Sequence, residues 1–193
     1  RGDKSNESTL FRIRDNTLGD TVNATPAYVA KPPYQFGDAV TPTYVDFQAV
    51  SRTPALYVGA NDGMLHAFDA TTGQLVTSFD ATANGDVRAI AVSGDGGTVF
   101  VGGDFTTIDG AARSRIAAVD AGGDLRSGWE VSASAGVRDL LVVGPDLYLA
   151  GRFGTVNGQS RGGLAKVTAA TGALSSWRVI TAGGRPWSIH PAP

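Results

Sequence analysis

Two stretches of this chain repeat each other at a fixed distance, and that period limits the possible folds more than any single motif. Phe105 and Phe153, Gly110 and Gly158, Arg113 and Arg161, and Trp129 and Trp177 all lie 48 residues apart. Arg88 and Arg138 lie 50 apart, so two residues are lost in the turn after Gly94 and Gly144, where a change of loop length costs least. A period of about 40–50 residues denotes stacked units, each unable to bury its apolar surface without a neighbour.

The two complete copies are residues 85–135 and 136–184, and a shorter copy at residues 51–84 lacks an insert of roughly eight residues. The stretch "GRPWSIHP" opens a further copy where "GDVRAIAV" and "GVRDLLVV" stood before. Each copy reads as four short strands. "VRAIAV" and "TVFVGG" are rich in β-branched and aromatic residues and are separated by Asp95-Gly96-Gly97. Asp109-Gly110 and Asn157-Gly158 mark tight turns inside the inserts. No stretch sustains a helical period. The expectation is an all-β fold, a β-propeller fragment of four-stranded antiparallel blades, with about three blades plus partial ones at each end. Propellers close with about four to eight blades, so the ring is expected to be completed by residues outside this chain, which reads as a piece of something longer. The N-terminal third has prolines at 26, 32 and 33 and reads as a lead-in with one or two strands, notably "PAYVA".

Composition excludes several function classes. Glycine accounts for 26 of 193 residues without a three-residue period, which implies many turns and no collagen. The net charge of −2 comes with no basic cluster, so no nucleic-acid partner is expected. No apolar run approaches the roughly 20 residues of a membrane-spanning helix. Cysteine is absent, which removes disulfides, thiolate metal sites and cysteine nucleophiles.

The ordered parts "RGDKSNE", "LGDTVNATPAYV" and "VGANDGMLHAFDA", spread over residues 1–73, resemble the start of the C-terminal propeller of the PilY family of type IV pilus biogenesis proteins and tip-associated adhesins. From residue 85 to 184 the repeats resemble the Delta-60 repeat of bacterial surface and secreted proteins, a family without a common activity. The resulting division is a PilY-like propeller start and first blade at 1–84, then two Delta-60-like blades and the start of a third at 85–193. The resemblance implies an exported bacterial protein at the cell surface, on the pilus or outside the cell. Its implied role is non-enzymatic, in pilus assembly or adhesion, with pilus components or a host surface as protein partners. Two alternatives are a Delta-60-type surface scaffold unrelated to pili and a fragment of a PQQ-type quinoprotein dehydrogenase. The latter arises because "VGANDGMLHAFDATTG" is similar to quinoprotein blade repeats.

Candidate site residues are few. PilY proteins are associated with a calcium loop, but no D-x-D-x-D run occurs here. No cofactor is expected, and calcium, which the family resemblance implies, is assigned to no residue. Asp62-Gly63 reads as a turn, with Leu65, Ala67 and Phe68 lining a sheet. Arg1-Gly2-Asp3 is a tripeptide that can serve adhesion when displayed on an exposed loop. His66 and His190 have no acid or second histidine at metal-ligand spacing, so neither zinc nor a Ser-His-Asp set is expected. The recurring Trp129 and Trp177 fit packing between sheets, and Arg113 and Arg161 fit tying a turn carbonyl or a blade-internal acid.

Overall fold

The computed structural model describes residues 26–29, 54–60, 64–79, 81–179 and 186–190. Among them the chain is all-β, without helix, in small antiparallel sheets that form no closed barrel. The first unit pairs β1 (Ala27–Val29), β2 (Ala55–Gly59), β3 (Met64–Asp69) and β4 (Ala81–Thr82) in that order. The second pairs β5 (Val87–Val92), β6 (Thr98–Gly103) and β9 (Ile116–Asp120), and carries its insert as the ribbon β7 (Thr107–Ile108) with β8 (Ala111–Ala112). The third repeats this with β10 (Val137–Val143), β11 (Asp146–Gly151) and β14 (Leu164–Thr168), its insert being β12 (Thr155–Val156) with β13 (Gln159–Ser160).

Two details differ from the sequence expectation. The fourth line of the second and third units is a single bridge, Val119 to Leu125 and Val167 to Leu174, and not a full strand; in the first unit the bridge Phe68 to Leu75 is followed by the two-residue β4. A short turn leads into each bridge. Asp69 Oδ1 accepts the amides of Thr71 and Thr72, and Asp120 Oδ1 accepts those of Gly122 and Asp124. The first unit also takes its first strand from the lead-in, because β1, within "PAYVA", pairs with β2 as β5 pairs with β6. The turns after β5 and β10 differ by three residues, two lost from the repeat and one taken into the longer β10. Residues 93–97 connect β5 to β6, whereas Gly144-Pro145 alone connects β10 to β11.

Successive side chains of a strand face opposite sides of its sheet, and the second unit is apolar on both. Val99, Val101, Ala117 and Val119 join the core against the first unit, with Tyr57, Leu65 and Ala67. Phe100, Ile116 and Ala118 join the core against the third, with Leu147, Leu149 and Val167. All six residues of β6 are therefore buried. An aromatic couple recurs at each step. Tyr57 and Phe79 have ring centroids 5.3 Å apart, Phe100 and Trp129 5.4 Å, and Tyr148 and Trp177 5.6 Å. The first two couples are buried between units; the third lies on the outer face of the third unit. Trp129 is 2% exposed and donates its indole N–H to Ala169 O at 2.9 Å, whereas Trp177 is 36% exposed.

A polar clasp recurs with the aromatics. Asp109 and Asn157 take positive φ, 49° and 47°, ahead of Gly110 and Gly158 at 73° and 74°, as a tight ribbon turn requires. Each also reaches the preceding unit. Asp109 Oδ1 accepts the Thr82 amide at 2.7 Å, and Asn157 Oδ1 accepts that of Ser132 at 2.8 Å. From the other side, Asn84 Oδ1 accepts the amides of Thr106 and Thr107, and Ser134 Oγ those of Gly154 and Thr155. Each insert thus fastens its unit to the one before.

Trp129→Ala is expected to cost about 3–5 kcal/mol of stability, as for a buried aromatic, and Trp177→Ala less than about 1.5 kcal/mol because its ring already meets solvent. Urea unfolding of both variants checks this; equal losses would contradict the interior placement of Trp129. Asn157→Asp is expected to unfold within about 0.5 kcal/mol of the parent, since aspartate serves at 109. Asn157→Ala should lose about 1–3 kcal/mol from the clasp and the left-handed backbone together.

Candidate binding cleft at the first strands

The first strands of the units converge, with β5 beside both β1 and β10. Where they meet lies a cleft of about 760 Å³, lined by Pro26 and by residues 88–90, 138–140 and 187–190. These three runs occupy one place in the repeat, so Arg88, Arg138 and Trp187 are equivalents. Their backbones are fixed by glycine. A Cβ on Gly103 or on Gly151 would collide with the carbonyl oxygen of Asp86 or Gly136, which accepts the Asp104 or Arg152 amide at 2.9 Å.

Charge is where the copies part. Arg88 is held by two acids, Nη2 at 2.7 Å from Asp86 Oδ2 and Nε at 2.6 Å from Asp104 Oδ2. In the third unit Gly136 and Arg152 stand in place of those acids. Arg138 instead lies over the Trp187 ring, its guanidinium carbon 3.6 Å from the centroid, a cation–π contact. Burial, then the charges of Arg152 and Arg88, push Arg138 below the ordinary arginine pKa, and Asp104 offsets this in part. Asp139 does not neutralise it. One carboxylate oxygen accepts the Leu140 amide at 2.9 Å and the other the Ile189 amide at 2.7 Å.

The structure places the other candidates as follows. Arg1, Gly2 and Asp3, and the turn at Asp62-Gly63, lie outside the described residues. Leu65 and Ala67 are buried in a sheet and Phe68 is half-buried. His66 is buried on β3, and His190 Nε2 lies 2.8 Å from Ser188 Oγ at the cleft. Among the described residues no three His, Cys, Asp or Glu side chains gather as a metal site would require. Among the described residues Arg113 and Arg161 bind carbonyls and not acids. Arg113 donates to Ala112 O and Ser127 O at 2.8 and 3.1 Å, and Arg161 to Ser160 O and Ser175 O at 2.8 and 2.6 Å. Sequence reasoning paired Arg88 with Arg138 only to count the repeat. The loss of both acids around Arg138 was readable from the aligned copies; the stacking on Trp187 was not.

No protein-family model matches the chain. It is similar to a type IV pilus biogenesis factor PilY1 homolog of Xylella fastidiosa, 44% identical over 88 residues, covering 41% of this chain and 7% of the relative. It is likewise similar to the type IV pilus biogenesis factor PilY1 of Pseudomonas aeruginosa strain PAK, 43% identical over 90 residues, covering 43% of this chain and 8% of the relative. The chain spans less than a tenth of the length of these curated relatives.

The Arg88–Asp104 pair is partly solvated, with side chains 25% and 44% exposed. A double-mutant cycle with Arg88→Met and Asp104→Asn is therefore expected to give a coupling of about 0.5–1 kcal/mol at low salt, shrinking as salt is added. A coupling above about 2 kcal/mol that ignores salt would contradict the solvated geometry.

Proposed function

We propose that this chain is part of an exported, surface-associated bacterial protein that acts in type IV pilus assembly or adhesion by presenting its cleft and loops to protein partners, without bond-making chemistry. The observation that carries this reading is the 43–44% identity to PilY1 pilus biogenesis factors over about two-fifths of the chain. The stacked sheets support it as well, since rigid blades hold loops and inner edges in fixed positions. Arg1-Gly2-Asp3 belongs to this proposal as an adhesion motif, and pilus components or a host surface are its partners. Calcium bound elsewhere in the parent protein is compatible with it. A second reading is a Delta-60-type surface scaffold unrelated to pili, favoured by the more than half of the chain that these likenesses leave uncovered.

Deleting the coding segment of this chain from the parent gene tests the choice. Loss of surface pili or of pilus-dependent attachment, restored by the intact gene, is the expected outcome. Normal piliation and attachment would overturn the pilus reading in favour of the scaffold.

A further inference from the structure

The second and third units form an internal comparison, one backbone framework carrying two charge patterns. At the second, Arg88 is matched by Asp86 and Asp104. At the third, Arg138 sits in the same place with Gly136 and Arg152 around it, and the framework is unchanged. Arg152 N donates to Gly136 O as Asp104 N donates to Asp86 O, both at 2.9 Å. The exchange replaces two negative charges by one positive charge beside a half-buried arginine.

Arg138 has no ion pair or hydrogen bond from its guanidinium among the described residues, while one face of that group rests on Trp187. A guanidinium carries five N–H donors in a planar fork that matches a carboxylate edge-on. Stacking leaves that edge open. Asp139, the acid nearest in sequence, is committed to the Leu140 and Ile189 amides. A cation in a cleft, pressed by a second arginine and offset only in part by Asp104, is a cost to the free protein that an incoming anion would relieve.

The rest of the cleft indicates the size of that anion. Its lining mixes the apolar Ile90 and Ile189 with the polar Arg88, Asp139, Ser188 and His190, and it runs across β5, β10 and residues 187–190. That is room for a segment with apolar atoms beside its charge, more than a small inorganic ion would use. We infer that Arg138, with Arg152 beside it, receives a side-chain carboxylate from an acidic segment of a protein partner, Trp187 backing the arginine's other face. This rests on the reading of the chain as a surface that meets protein partners, and it names the chemistry of that meeting.

The repeat also supplies the variant that tests it. Arg152→Asp puts into the third unit the acid that the second already carries at the same place, so the fold accommodates it and Arg138 gains an internal partner. The intact 193-residue chain is titrated calorimetrically with an acetylated decaglutamate peptide, and separately with inorganic phosphate at matched ionic strength. The parent is expected to bind the peptide, Arg152→Asp to bind it at least about tenfold more weakly, and Arg178→Asp, the same charge change at an exposed residue outside the cleft, to stay within about twofold. No peptide binding by the parent, equal weakening by both variants, or binding of phosphate without the peptide would each overturn the proposal. None of these outcomes bears on piliation, so this test and the deletion test fail independently.

Discussion

Strands buried on both faces need a neighbour on each side, and the rest of this structure follows from that requirement. β6 has no exposed residue, because its odd positions meet the first unit and its even positions the third. A lone sheet of this composition would expose two apolar surfaces, which only stacking removes from water. The Tyr57–Phe79 and Phe100–Trp129 couples fill the space between sheets, and the Asx clasps tie each insert to the preceding unit. One insert residue serves both ends, since the same side chain that closes the ribbon turn at 109 or 157 reaches back to the preceding unit.

Once stacking is fixed by such repeated contacts, the positions that break the repeat are free to vary. They gather at the first strands. Arg88 and Arg138 share a backbone setting, but Arg88 pairs with two acids whereas Arg138 makes no ion pair among the described residues and feels Asp104 only as an offset. The copy that keeps its acids pairs its arginine internally; the copy that lost them leans on Trp187. Function in a scaffold of this kind resides in such local departures, while the shared positions maintain the stack.

Much of the fold was legible in the sequence because a period needs no knowledge of contacts. The spacing of 48 residues marked the repeat and the Asp109 and Asn157 turns, while it left Arg113 and Arg161 between a carbonyl and an acid, of which the structure shows the carbonyl. Phe79, which fills the tryptophan's place in the first unit, escaped because a phenylalanine does not align by identity with Trp129 and Trp177. The fourth strands of the second and third units are single bridges at Leu125 and Leu174, a tertiary outcome that local β propensity does not report. β1 was separated from its partner by a long stretch of chain, and long-range pairing leaves no local signature. The cleft was invisible for a related reason: it exists only where three units meet.

Residue-resolved native-state hydrogen exchange tests the sandwich most directly, since amides in a sheet covered on both faces open only when the stack does. Val99 and Val101 in β6 are expected to be the slowest exchangers in the chain, with Tyr148 and Leu149 in β11, whose sheet has one face toward Trp177 and solvent, measurably faster. Slower exchange in β11 than in β6, or uniform fast exchange across both, would contradict a middle unit held by its neighbours.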